Sequence, residues 1–467
     1  MNSGGGAWSP DRRLLTSGLI GLVTAGAFEG MAVPTVLPAM VDDLGGLDLY
    51  GWAFSAFWLT NIVGITLAGS DADRRGPGRA LIIGVVLFAA GMVVSGVATG
   101  MPLVIAGRAI QGFGSGAIGS VVYAVIARAY DPAARPRMIA LVSSAWVVPG
   151  LIGPALAGVV ADALGWRWVF LGIVGPVLLM GAAVWPQLSR LGPVARTGVP
   201  ARGDRRRGLD AVQLAIGSTL LLAALTLGAP LLSLAMLMAG GWLVLAALRH
   251  LLPAGSLRLA PGRPSVVVAV FAIAFAFFGT EAYVPLTVVE VRGGSVTLGG
   301  LALSAAAVTW AIGSWLQARA AAAGIRRTLV VTGASLIAAG VAVTSIVLLP
   351  AAPVFVAAIG WGIGGLGMGL AYSMLALLIL ETAAPGEEGV SSAALQLMFT
   401  LGTAFGAGIG GAVVALADAG TLELPVALGM VNGLMAAVAV MGVVIATRVP
   451  PGPAARQTAP LPSAPAH

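Results

Sequence analysis

The chain has 467 residues, of which 58% are hydrophobic and 9% charged, with a mean hydropathy of +0.98. That leaves too little polar surface for a water-soluble globule and points to a membrane protein. There is no cysteine and there are two histidines, His250 and His467, so disulfides, thiol chemistry and a His/Cys metal cluster are excluded, and no metal is expected. All 25 basic residues are arginine, and without lysine the phosphate-binding glycine loop of an ATP-driven pump is excluded on this chain.

Apolar runs recur along the chain, each long enough to cross a hydrocarbon core of about 30 Å at about 1.5 Å per helical residue. Backbone groups in lipid must pair internally, so the runs are read as helices. They fall near 14–38, 50–70, 80–99, 102–127, 138–161 and 167–187, then 210–228 and 230–248. Six more follow near 265–289, 297–318, 328–349, 353–382, 390–416 and 424–447, for a total of fourteen. The first run is too long for a signal-peptide core and carries Glu29 at its centre, so it is read as a span. A twelve-helix reading, with the pair at 210–248 lying at the surface, preserves the parity and stays open.

The arginines fix the orientation. With the N-terminus inside, the inner segments collect all of them except Arg108, Arg167 and Arg292, so the positive-inside rule places both termini in the cytoplasm. The +7 net charge is therefore a matter of topology, and no nucleic-acid partner is expected. The resulting division is a cytoplasmic N-terminus (1–13), a six-helix half (14–187) and an Arg-rich linker (188–209). An additional helix pair (210–248), a cytoplasmic loop (249–264), a second six-helix half (265–447) and a Pro/Ala-rich disordered tail (448–467) complete it.

The two halves resemble each other. "AFEGMAVPTVLP" (27–38) echoes "GTEAYVPLTVV" (279–289), each with a mid-span glutamate followed by a proline: Glu29 with Pro34, Glu281 with Pro285. "RALIIGVVLFAAG" (79–91) echoes "RTLVVTGASLIAAG" (327–340), and "GRAIQGFGSGAIGS" (107–120) aligns with "GWGIGGLGMGLAYS" (360–373). Parallel repeats about an axis along the membrane normal are an architecture in which a midplane site lies between halves that rock against each other, so a transporter is expected.

Four motifs stand in order at the corresponding spans. "GSDADRRGPGR" (69–79) resembles the G-x-x-x-D-R-x-G-x-x-R loop between helices 2 and 3 of the major facilitator superfamily, through Gly69, Asp73, Arg74, Gly76 and Arg79. "RAIQGFGSG" (108–116) is similar to its helix-4 motif, through Arg108, Gly112 and Gly114. "GLIGPALAG" (150–158) is similar to its helix-5 antiporter motif, through Gly150, Gly153, Pro154 and Gly158, and "GWRWVF" (165–170) to the usual opening of helix 6. With fourteen spans, the resemblance is to the fourteen-helix drug:proton antiporter branch, which more often carries Asp where this chain has Glu29. It implies an all-α polytopic fold of two pseudo-symmetric six-helix halves plus two linking helices. It also implies that Asp73 sits against a helix N-terminus of the opposite half, beginning near Ser391, and holds the cytoplasmic side closed. Glu387 and Glu388 lie just upstream of that helix and either repel Asp73 or pair with Arg74 or Arg75.

The residues themselves suggest the chemistry. Glu29 and Glu281 are intramembrane carboxylates, costly to ionise in lipid, and competition between a proton and a cationic substrate for one carboxylate is the simplest antiport mechanism. Arg108 costs several kcal/mol in span 4 unless paired, and with Gln111 it is read either as a structural pair or as tuning a nearby acid. Gly150, Gly153, Pro154 and Gly158 give span 5 a small, bendable face. Trp166 and Trp168 are read as interfacial belt residues.

The expectation is a proton-coupled exporter of small hydrophobic or amphipathic compounds, cations included, working as a monomer in the lipid bilayer of a bacterial inner membrane. It would need no cofactor beyond the proton gradient and would not be an enzyme. Export of a specific lipid or metabolite is the alternative, and a non-transporting receptor or scaffold is a third reading.

Overall fold

The computed structural model describes residues 8–9, 12–131, 134–191, 202–320, 325–383 and 388–450. Parts of the N-terminal segment and of the linker, Glu387 and nearly all of the tail after residue 450 lie outside them. The helices of the first half are α1 (Arg13–Leu44), α2 (Tyr50–Arg75), α3 (Pro77–Gly96), α4 (Met101–Ala129), α5 (Arg135–Ser144), α6 (Val147–Leu164) and α7 (Arg167–Leu188). Next come α8 (Arg202–Thr226) and α9 (Pro230–Leu251). The second half contains α10 (Arg263–Glu281), α11 (Val284–Leu286), α12 (Val296–Ala320), α13 (Arg326–Ser345), α14 (Val356–Glu381), α15 (Glu388–Asp418) and α16 (Leu424–Ala446). Among the described residues, fourteen spans are long and apolar enough to cross a membrane, α5 with α6 and α10 with α11 each sharing one. The pair α8 and α9 has that length and hydropathy too, which supports fourteen spans over twelve.

Prolines set where the spans bend. Pro149 cannot donate to the carbonyl of Ala145, and the fifth span breaks there into α5 and α6. Pro285 cannot donate to the carbonyl of Glu281, where α10 ends; a π turn at Thr287–Val291 completes that span. In contrast, Pro34 and Pro38 are absorbed inside α1, which continues to Leu44 instead of ending at the proline.

The repeat read from sequence is a repeat of packing. In the first half α2 and α3 pack on α4, α1 packs on α6 and α7, and α3 packs on α7. In the second half α12 and α13 pack on α14, α10 packs on α15 and α16, and α13 packs on α16. Thus α1 corresponds to α10, α2 to α12, α3 to α13, α4 to α14, the fifth span to α15 and α7 to α16. The halves meet along two seams, α6 against α12 and α2 against α15. Helix α8 touches both α2 and α15 and carries α9 on its outer side.

An even number of spans puts both chain ends on one side, here termed the terminal end, opposite the distal end. Close backbone approach builds each half. A side chain at Gly112 would meet the Phe57 carbonyl of α2, and one at Gly365 the Ala306 carbonyl of α12. Gly69, by contrast, lies within α2 with open space around it, so it serves neither turn nor contact; the turn between α2 and α3 rests on Gly76, at φ 93°. Replacement of Gly112 by Ala is therefore expected to cost about 1–3 kcal/mol and lower the melting midpoint of the detergent-solubilised protein. Gly69→Ala should leave that midpoint unchanged or raise it, and equal effects at the two positions would contradict this packing.

Candidate functional site

Arg108 on α4 is 2% exposed and forms an ion pair with Glu29 of α1, itself 1% exposed. Its Nε donates to the carbonyl of Ala53 on α2 at 3.0 Å, so the guanidinium ties three helices together. Gln111, one turn further along α4, donates to Glu29 Oε1 at 3.3 Å and accepts from Arg108 and from Ser95 Oγ. The Phe57 ring covers the guanidinium at 4.3 Å. The sequence reading named these three polar residues, and the structure joins them in one buried cluster. Its one unsatisfied atom is Glu29 Oε2, buried and without a hydrogen-bond partner among the described residues.

Glu281 occupies the matching place in the second half but has a different partner. The residue aligned with Arg108 is Trp361, whose Nε1 donates to Glu281 Oε2 at 3.3 Å. Each glutamate is therefore met by the same position of its own half's fourth helix, once by a guanidinium and once by a neutral indole. Trp361 was not singled out from the sequence, although the aligned glycine ladders set it opposite Arg108. It stacks on Phe277 at 4.5 Å, which leads into Phe278, Trp310, Tyr372 and Phe399, a continuous aromatic wall. Among the described residues no cation pairs with Glu281.

Contacts between the halves hold the distal end shut. Asp162, near the end of α6, accepts from the backbone N–H of Val296 and Thr297 at 3.3 and 3.0 Å and from the Thr297 hydroxyl at 2.6 Å. A carboxylate thus caps the N-terminus of α12 in the opposite half. Tyr50 donates to the Ala282 carbonyl and Ser55 to that of Ala404, again across the seams. Along the α6–α12 seam, a Cβ at Gly158 would lie 2.5 Å from Thr297 Cα, and Gly300 abuts Pro154. Gly150 faces Ala307 and Met31, and Gly153 faces Phe28, both in looser contact.

The terminal end differs from what the family resemblance implied for Asp73. Asp73, Arg74 and Arg79 are exposed, and Asp73 makes no hydrogen bond or ion pair with a described residue. Ser391 is buried with its hydroxyl unpartnered. Arg75 pairs with Asp71 of its own helix, and Glu381 pairs with Arg326. The carboxylate-to-helix contact between halves is made at the other end, by Asp162. Trp166 also departs from its expected place: at 4% exposed it is buried, donating to Asp43 at 3.1 Å beneath the Arg167 guanidinium, whereas Trp168, at 55%, has the exposure of a belt residue. An indole that shares a carboxylate with an arginine is held inward.

Two pseudo-symmetric helical halves, each holding a mid-span carboxylate in its first helix, have the architecture of a membrane transporter. Residues 18–407 match the family model of the Major Facilitator Superfamily, and the chain belongs to that superfamily. It is similar to a protein named as a probable multidrug-efflux transporter of Mycobacterium tuberculosis, 26% identical over 87% of this chain and 88% of the relative. It is also 26% identical to a multidrug transporter protein of Bacillus subtilis over 86% and 75% of the two chains. Among solved structures, a bacterial homologue of the human lysosomal transporter Spinster, inward-facing and unoccupied, superposes with a TM-score of 0.65. That match covers 94% of this chain and 96% of the other at 16% identity, a likeness of fold alone.

Two outcomes follow from the geometry. Glu29→Gln or Arg108→Gln alone should destabilise the protein by about 3–5 kcal/mol, since each strands a buried partner, while the double variant should cost less than the sum. A double-mutant cycle by reversible unfolding checks this. Separately, Asp162→Ala should loosen the distal seam. Because the chain has no native cysteine, a single cysteine placed at half-buried Met31 then reports the opening as faster labelling by an impermeant reagent applied at that end.

Proposed function

We propose that this chain is a proton-coupled exporter of small amphipathic or hydrophobic compounds, cations included, working by alternating access. The observation that carries the reading is the asymmetric pair of glutamates. Glu29 is neutralised within its own half by Arg108, whereas among the described residues Glu281 meets only the Trp361 N–H beside an aromatic wall. A proton on Glu29 releases the Arg108 clamp, and its unpartnered Oε2 leaves room for that proton. A lipophilic cation supplies the positive charge that Glu281 lacks, with aromatic faces to hold its apolar body.

The names of the relatives support multidrug efflux as the physiological setting, and their sources support a bacterial inner membrane. The Arg-rich terminal end is placed in the cytoplasm by the positive-inside rule. With the distal end held by the Asp162 contacts and Asp73 without a partner among the described residues, we read the conformation as inward-facing, with the family role of Asp73 belonging to the outward-facing state.

The test is efflux of a lipophilic fluorescent cation from proteoliposomes under an imposed pH gradient. Gradient-driven flux is expected in the wild type, falling to the rate of protein-free liposomes in Glu29→Gln. In Glu281→Gln transport of the cation is lost while that of a neutral hydrophobic dye persists. Cation flux indifferent to the gradient, or to Glu29→Gln in protein that elutes as a single species, would overturn the reading.

A further inference from the structure

The loop joining α9 to α10 encloses a groove of about 400 Å³, lined by residues 248–249 and 252–258. Its only charged lining residues are Arg249, in the last turn of α9, and Arg258. Both are exposed, and neither makes an ion pair or hydrogen bond among the described residues, in contrast to the arginines at 12, 75, 167 and 326. Among the described side chains, the acid at this end of the helix pair, Asp210, is taken by His250 at 3.4 Å, and Arg206 also contacts that histidine. The groove is therefore a concave basic site with no counter-charge among its lining residues.

Its position says which anion it suits. Leu231, Leu234, Met238, Trp242 and Leu245 are all exposed and recur at three- and four-residue steps, forming one apolar stripe along α9. The next step of that stripe is Arg249. On a spanning helix whose outer face is otherwise unpartnered, this stripe lies against acyl chains, and the guanidinium that ends it stands at the headgroup level. Leu257, exposed in the loop between Arg249 and Arg258, adds an apolar contact on the same groove. A free inorganic anion would use the two arginines but neither the stripe nor Leu257.

We propose that this groove is a binding site for an anionic phospholipid, with the headgroup phosphate held between Arg249 and Arg258 and an acyl chain laid along the α9 stripe. The site anchors the extra helix pair to the leaflet at the terminal end. It does not depend on the transport cycle or on which compound is carried.

Native mass spectrometry of the purified full-length protein, offered phosphatidylglycerol or phosphatidylcholine with identical acyl chains, tests the proposal. The wild type should retain phosphatidylglycerol in preference, and R249Q/R258Q should lower that retention by about tenfold. R249K/R258K should keep most of it. Since both side chains lie on the surface, monodisperse elution confirms that the variants are folded. Equal retention of the two lipids, or an unaltered preference in R249Q/R258Q, would overturn the proposal. Displacement of the lipid by millimolar inorganic phosphate would assign the site to a free anion instead and overturn it equally.

Discussion

A charge in hydrocarbon must bring its own counter-charge, and the first half of this protein is arranged around that requirement at Arg108. The guanidinium reaches α1 through Glu29 and α2 through the Ala53 carbonyl while being rooted in α4, so three helices that hydrophobicity alone would let slide are fixed in register. Lipid tails are as apolar as leucine, which leaves packing and polar contacts to hold helices together. One buried ion pair, with Gln111 donating a hydrogen bond to Glu29 and accepting one from Arg108, thus does for the first half what an apolar core does for a soluble domain. The second half repeats the helices but not the charge: Trp361 meets Glu281 with a neutral N–H, and the aromatic wall supplies the packing instead. The two halves share one fold; arginine against tryptophan at 108 and 361, and Gln111 against Gly364, give them different electrostatics.

The seams between halves are built on a different principle from the halves themselves. Within a half, glycines let backbones touch over long stretches. Between halves, Gly51 meets Gly411 and Gly158 meets Thr297, yet among the described residues the polar ties number few: Tyr50, Ser55 and Asp162. Smooth, small-residue surfaces pinned by a few exchangeable hydrogen bonds can part without exposing a buried charge. The charged cluster stays inside one rigid half, so the cost of moving the halves does not include the cost of breaking it.

Much of this was legible in the sequence because hydropathy and glycine spacing are local signals. Span count, the repeat and the polar cluster at Glu29, Arg108 and Gln111 need only the period of a helix and the cost of a buried charge. What the sequence left open depends on which helix end faces which. Asp162 reads locally as an ordinary polar residue at the end of a span; only the arrival of α12 from the other half makes it a cap. Trp166 and Trp168 are two residues apart and chemically alike, and the carboxylate of Asp43, more than a hundred residues away, separates their roles. Gly69 matches a motif but stands in open space, since the turn it was assigned to is carried by Gly76.

The extra pair obeys the same constraints. Helix α8 meets α2 near the terminal end, where Gly208 faces Leu67, and meets α15 nearer the distal end, where Leu222 lies against Gly408. Both contacts are apolar, and Leu222 shares its small cluster with Leu59 and Ala404, one from each half. A helix bonded by charge to both halves would lock them together; one that touches each through leucine and glycine can slide. Helix α9 touches neither half extensively and turns its apolar stripe outward. The pair therefore covers the α2–α15 seam from the lipid side without entering it, its outer member held on α8 by the close approach of Gly217 to Gly240 and by Gln213, which donates to the Leu243 carbonyl at 3.0 Å.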